Sequence, residues 1–331
     1  MATRYATRNP DVRVLVIDLC PQANLSMALL SSPRQQGCHH LSSLLKENKT
    51  VSFYLQKSTE AGPVIEAKTF LTHVSDYNNQ VPANLFLLCG DMYLELVARH
   101  LEHLRSGVAV PRHNPWLIVT SSIRSFIEGK KERVNGVTNL PGEWVVFTDT
   151  NPSFSVYTEI ALAAVNKLII PINADDFSIE AVRAMLDLVY GIKQEEEEEE
   201  DDEGSENFIA YRQYMFSYRA EQYGLKLPKM HLLVNNRTTT IYTRSATAFK
   251  AMGQENVKVL FEAYQKHQKG KMCFAPRERE ITNIAAFKQQ YFEDVRDFHT
   301  TAILSLHTGC PLGGLSGTVS LGEEEIGRAH V

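Results

Sequence analysis

Arg13-Val-Leu-Val-Ile-Asp-Leu19 is an apolar, β-branched run with an acid near its carboxyl end. Apolarity without alternation suits a strand buried on both faces, as in a parallel sheet held between helical layers. Pro21-Gln22-Ala23-Asn24 then turns the chain and a helix follows over 25–30. Similar apolar runs recur downstream at 85–89, stopped by Gly90-Asp91, and at 144–148, ending in Asp149. Two more lie at 167–172 and at 230–234, the latter ending at Asn235-Asn236. Helical spacing separates them. Tyr93, Leu94, Leu96, Val97, Leu101 and Leu104 mark one helix, and Ile179, Val182, Leu186 and Val189 share a face of another that Asp175, Asp176 or Ser178 can cap. Near the end, Phe287, Tyr291, Val295, Phe298 and Ala302 are spaced for one long helix. Strands alternating with helices predict an α/β fold, a mostly parallel sheet flanked by helices on both sides. Ligands of such sheets bind beyond the carboxyl ends of the strands. Asp18, Asp149 and Asn235 fall there, and converge if their strands are neighbours.

The totals agree with a globular chain: of 331 residues, 44% are hydrophobic and 22% charged. The formal net charge of −5 is unevenly spread, because ten acids lie within 195–206 and without them it would be +5. The body is thus mildly basic. Residues 194–207 read as a solvated, low-complexity acidic insertion with nothing apolar to bury. Five widely spaced cysteines with no C-x-x-C read as reduced thiols of a cytosolic protein. Cys38-His39-His40 reads as a polar loop, since no second ligand pair follows at a zinc-like spacing. The best apolar stretch, 160–172, is interrupted by Asn166 and Lys167 and is too short to span a bilayer.

Several segments resemble one family in its own order. Val14-Leu-Val-Ile-Asp18-Leu-Cys20-Pro21-Gln22-Ala-Asn24-Leu-Ser26 resembles the "VLLIDLDPQGNLS" signature of ParA/MinD-type (ParA/Soj) partition ATPases with a deviant Walker A loop. The stretch 85–94 resembles that family's "LxLIPGDxxL", 144–153 its Walker B segment "YDFVLIDTPPS", 168–178 its "VLIPVQPEYFS", and Gly309-Cys-Pro311-Leu312 with Leu315 its "GKPLSxL". The resemblance implies a P-loop NTPase fold of the MinD/ParA kind, with ATP and Mg²⁺ as cofactors. Asp18 and Asp149 match the acids that hold the hydrated Mg²⁺. Where relatives carry a second acid that places the attacking water, this chain has Cys20, a poor acceptor. Asn235 or Asn236 sits where relatives contact adenine, and either also suits a plain turn. Asn24 and Ser26 fall in the first switch.

The resemblance further implies an ATP-bound homodimer, nonspecific DNA, a ParB-like centromere-binding adaptor, and a cytoplasmic, nucleoid-associated protein without a membrane role. Cations available for DNA phosphates are Arg237, Arg244, Lys250, Lys266, Lys269, Lys271, Arg277 and Arg279. The family's phosphate loop, K-G-G-x-x-K-[ST], has no counterpart in the 331 residues. Residues 1–6 resemble the end of the helix that follows it, so the first strand and loop are expected upstream. Residues 1–324 are then a truncated ParA-like domain containing the insertion 194–207, and 325–331 resemble a translated adapter sequence. The alternative is a non-catalytic ParA-like scaffold or DNA- and adaptor-binding module. A receiver-domain reading of the first strand fits neither the length nor the later segments. Because the first strand is expected to lie centrally in the sheet, adding it should raise the melting temperature sharply; equal melting with and without it would refute the truncation.

Overall fold

The computed structural model describes residues 1–60, 66–110, 113–128, 142–151, 153–173, 176–192, 213–238, 244–267, 273–296, 298–315, 317–321 and 324–329. They fall into two compact units, Met1–Ala164 with His299–Val331, and Val165–Phe298.

The first unit is built on strand β1 (Val14–Leu19), every residue of which is buried. β1 pairs in parallel with β3 (Leu85–Leu88) on one side and β4 (Val145–Thr150) on the other. The short β2 (Thr72–His73) adds to β3 in the antiparallel sense, giving the order β2-β3-β1-β4. The pleat divides β1 between two cores. Leu15, Ile17 and Leu19 pack with α4 (Val51–Thr59), α5 (Leu94–Arg105), α7 (Ser122–Glu128) and α8 (Val156–Ala164). Val14 and Val16 pack instead with α1 (Ala2–Arg8), the end of α2 (Asn24–Leu29) and α3 (Cys38–Lys46). Helices therefore cover both faces, as the uninterrupted apolarity of β1 requires. A short α6 (Pro115–Thr120), capped by the Asn114 side chain, leads into α7.

Buried polar side chains join these elements. Asn84 Nδ2 faces the carbonyls of Ala6, Asn9 and Val12 at 2.7–3.2 Å and so ties the end of α1 to the start of β3. Asn78 Nδ2 donates to Leu29 O and Gly309 O, both at 2.9 Å. Tyr54 Oη donates to Ser122 O at 2.6 Å. Asp91 is 1% exposed and accepts from Ser52 N at 3.3 Å and Tyr93 N at 2.8 Å, serving the amino-terminal turns of α4 and α5 together.

The second unit has a parallel sheet in the order β5 (Lys167–Ile172), β6 (Lys229–Thr238), β7 (Phe292–Arg296). With it lie α9 (Asp176–Tyr190), α10 (Phe216–Gln222), the 24-residue α11 (Arg244–His267) and α12 (Ile284–Tyr291). Phe261, Tyr264, Phe274, Phe287 and Tyr291 form an aromatic cluster in which Phe274 and Tyr291 meet edge-on at 5.3 Å. In the first unit, α13 (His299–Thr308) precedes an antiparallel ribbon of β8 (Gly317–Leu321) and β9 (Glu324–Ala329).

The α/β class with parallel sheets flanked by helices stands. Three local expectations are corrected. The long helix through Phe287 and Ala302 is α12, strand β7 and α13, because Phe292–Arg296 pairs with β6. β6 does not end at Asn235 but runs on to Thr238. Cys38-His39-His40 is no loop: it opens α3, with Cys38 Sγ 3.3 Å from Met27 Sδ and the His40 ring 5.0 Å from Tyr77. The acidic insertion 194–207 and the cap candidate Asp175 lie outside the described residues. Asp91→Ala should cost about 3 kcal/mol in urea unfolding, because two helix-end N–H groups lose a charged acceptor at once; a loss under about 1 kcal/mol would show that the two caps are dispensable.

Candidate functional site

β1 and β4 run parallel and in register, and their ends place Asp18 opposite Asp149. Adjacent strands lie about 4.8 Å apart and register partners point to the same face, so the two carboxylates stand side by side on the face of Val16. Asp18 is 0% exposed, whereas Asp149 is exposed.

Asp18 is held from within the fold. Its Oδ2 accepts from Ser26 N at 2.9 Å and from Ser26 Oγ at 2.7 Å, and its Oδ1 accepts from Cys20 N at 3.1 Å. Ser26 in turn accepts from Gly90 N at 2.9 Å. Ala23, in the left-handed region at φ 52°, folds the chain back so that α2 presents Ser26 to the strand end. Gly90 permits the close approach: a Cβ there would stand 2.8 Å from Asp18 Cγ. The sequence carried these residues as a switch segment and a strand stop; their joint grip on one carboxylate depends on the β1–β3 pairing and was missed.

Burial pushes the Asp18 carboxyl up to about 6, against the Ser26 and Cys20 hydrogen bonds, with Asp149 adding repulsion. Partial desolvation at the strand end also raises Asp149, although its side chain reaches solvent, and the Thr150 N–H partly offsets this. Burial, and to a lesser degree both carboxylates, raises the Cys20 thiol, which therefore stays neutral near pH 7. The pair is an arrangement of crowded negative charge that a cation would relieve.

Asn235 and Asn236 belong to the second unit, and the hydrogen-bonded neighbours of their strand are β5 and β7. Asn235 is no strand neighbour of Asp18 or Asp149, so strand pairing brings together two of the three polar strand ends. Asn235 Nδ2 donates to Asp294 Oδ1 at 2.6 Å, and Asn236 is exposed. Asp294 lies in a segment whose spacing predicts helix, so its pairing with Asn235 is not visible in the sequence. Among the DNA candidates, Lys269 and Lys271 lie outside the described residues, Arg237 is on β6, and Arg244, Lys250 and Lys266 are on α11.

A family model described as AAA domain matches residues 143–200, the stretch from β4 through α9. No curated protein matches the chain. Among solved structures, a plasmid partition protein of Borrelia burgdorferi is similar at 16% identity over 86% of this chain and 85% of its own, with a TM-score of 0.37. The ParA of pNOB8 is similar at 15% identity over 90% and 81%, with a TM-score of 0.44. Cobyrinic acid a,c-diamide synthase of Mycobacterium smegmatis, with a bound ATP analog and magnesium, is similar at 16% identity over 86% and 82%, with a TM-score of 0.40. The matched AAA stretch contains Asp149 and the segment after it, which is where the ParA/MinD-type resemblance places the Walker B motif.

Because folding raises Asp18, the native chain binds more protons than the unfolded one between about pH 4 and about pH 6. Stability should therefore fall by roughly 3 kcal/mol as pH rises through that window and then level off. Ser26→Ala should raise the Asp18 midpoint further, read from its carboxyl ¹³C shift, and leave Gly90 N without its acceptor. An unmoved midpoint would show that the serine does not hold this carboxylate.

Proposed function

We propose that the chain is a ParA-like partition protein whose Asp18–Asp149 pair serves a magnesium–nucleotide complex in an ATP-dependent switch. The observation that carries this reading is the register pairing of the two acids at the carboxyl ends of adjacent parallel strands. The AAA-domain match over 143–200 supports it.

The residues present fit a hydrated Mg²⁺ better than a directly bound one. Asp18 has three donors on its two oxygens and no exposure, so it would favour a nearby cation by its charge and not as a direct ligand. Asp149 is open to solvent and can orient a water of the ion's shell. The ion would supply charge neutralisation at the phosphates, and the acids would fix its position. Cys20, neutral and at the place of the usual second acid, would leave the attacking water without a charged acceptor, which makes hydrolysis slow. The resemblance alone assigns adenine to Asn235 or Asn236, and in the second unit Asn235 Nδ2 donates to Asp294 Oδ1. In this reading ATP brings two copies together, the dimer holds nonspecific DNA, and a ParB-like adaptor prompts release.

Two sequence facts favour a second reading, a non-catalytic scaffold or DNA- and adaptor-binding module: the 331 residues contain no K-G-G-x-x-K-[ST] loop, and Cys20 replaces an acid. We infer that the chain alone does not bind ATP. Calorimetry separates the readings. Joined to a strand and phosphate loop of the family pattern, the chain should bind Mg–ATP, and Asp149→Asn should weaken Mg-dependent binding by more than tenfold while leaving Mg-free binding alone. No nucleotide affinity in the extended chain, with DNA binding retained, would replace the switch by the scaffold.

A further inference from the structure

Strain brackets α2. Among the described residues, four other than glycine have a positive φ, and three of them flank this helix: Ala23 at 52° before it, Ser31 at 88° and Ser32 at 81° after it. In the left-handed region Cβ crowds the following carbonyl, so a serine rests there only where its surroundings hold it. Here they hold it from three directions. Asn78, 3% exposed, donates through Nδ2 to the carbonyl of Leu29, the last residue of α2. His40 Nδ1 donates to the next carbonyl, that of Leu30, at 3.0 Å, and its ring meets Tyr77 edge-on beside Asn78. Gly309 lies over the serines themselves: a Cβ on it would stand 2.7 Å from the carbonyl carbon of Ser31 and 3.0 Å from Ser32 N. The same Asn78 Nδ2 donates to Gly309 O at 2.9 Å, so one amide joins the end of α2 to the end of α13. Gly309 opens the Gly309-Cys310-Pro311-Leu312 segment, which the Asp18–Asp149 pair does not use.

We propose that Asn78 is a positioning residue for the Asp18–Asp149 site. With Gly309 it latches α2 in a strained position, and release of the latch withdraws Ser26 from Asp18. The path is short. Leu30 N donates to Ser26 O at 3.0 Å, and the N–H and hydroxyl of Ser26 are the donors to Asp18 Oδ2. α2 has six residues, under two turns, so its ends do not move independently. A displacement of α13 would therefore reach Asp18 through Gly309, Asn78 and α2 without touching either acid. The proposal rests on the preceding reading for what Asp18 serves, and on geometry alone for the latch.

Strain gives the latch a direction. With Asn78 shortened, the carbonyls of Leu29 and Gly309 lose their donor in buried positions, and the left-handed serines lose part of their restraint. Both costs fall when α2 moves away, because the carbonyls then meet solvent and Ser31 and Ser32 return to ordinary backbone angles. A residue that only packs has no such bias: its loss weakens the first unit and leaves α2 in place. Withdrawal of Ser26 also takes the acceptor from Gly90 N, which makes the Gly90 amide a reporter of release.

The test is the Gly90 amide signal in the NMR spectrum of the full chain at fixed pH, without nucleotide. Loss of two buried hydrogen bonds favours the released state about a hundredfold. Asn78→Ala should therefore move the signal most of the way to its position in Ser26→Ala, and should move it no further when added to Ser26→Ala. Gly309→Ala, whose Cβ has no room against Ser31, should give the same shift and serves in its place if Asn78→Ala does not fold by circular dichroism. Ser31→Gly, which removes strain, should return the signal of the Asn78 variant toward the parent. An unmoved signal in a folded variant with a lowered urea midpoint would leave Asn78 a packing residue and overturn the proposal, as would failure of Ser31→Gly to return it. In the chain joined to a strand and phosphate loop, Asn78→Ala should weaken Mg-dependent ATP binding about tenfold and leave Mg-free binding alone. Unchanged Mg-dependent binding beside a shifted Gly90 signal would also overturn it. No nucleotide binding in that chain, with the Gly90 shift intact, sinks the switch and leaves the latch standing; nucleotide binding with an unmoved Gly90 signal sinks only the latch.

Discussion

Asp18 is the fixed point of the first unit. A carboxylate with no exposure is costly unless its oxygens are met by donors, and here the donors come from Cys20, just past the strand, and from Ser26 on the helix after it. Ser26 spends its own acceptor capacity on Gly90 at the end of β3. One buried charge thus ties the ends of two neighbouring strands to the first turn of α2. Its grip is incomplete: the hydrogen bonds do not cancel the desolvation, and the carboxyl remains raised to about 6.

That cost follows from the same property that makes β1 a good central strand. Both faces of β1 are sealed, one by Leu15, Ile17 and Leu19 against helices α4, α5, α7 and α8, the other by Val14 and Val16 against α1 to α3. A polar residue can enter such a strand only at its end, and there it inherits the low-dielectric walls of both layers. β4 inherits less, since its residues are half-buried and Asp149 is exposed. The paired acids are therefore unequal, one part of the framework and one facing solvent, although the sequence presents both simply as acids near the ends of apolar runs.

What was legible in the sequence was whatever depends on a single segment. Continuous apolar runs gave β1, β3, β4 and β5 to within about two residues, although only β1 is buried throughout and β4 and β5 are partly exposed. The 292–296 segment reads as helix instead. Tyr291, Val295 and Phe298 satisfy a helical spacing, but pairing with the already buried β6 gives Phe292–Arg296 a ladder that an isolated helix turn cannot match. The strand beyond Asn235 was lost because Asn-Asn reads as a turn until a neighbouring strand is there to pair with it. Asp91, Asn78 and Asn84 were opaque as well. Each is defined by carbonyls or N–H groups that lie far away in sequence, 231 positions in the case of Asn78 and Gly309.

The electrostatics of the two units err in opposite directions, and the sign of each error names what would relieve it. In the first unit, burial raises two carboxyls and the neighbouring acid adds to the shift of Asp18, so charge of the missing sign is positive. In the second, burial, Lys167 and Arg277 depress His231 beside the opposed Lys167 and Lys229, so the missing sign is negative. At the Asp18–Asp149 pair, the cation of the proposed magnesium–nucleotide complex would offset that repulsion.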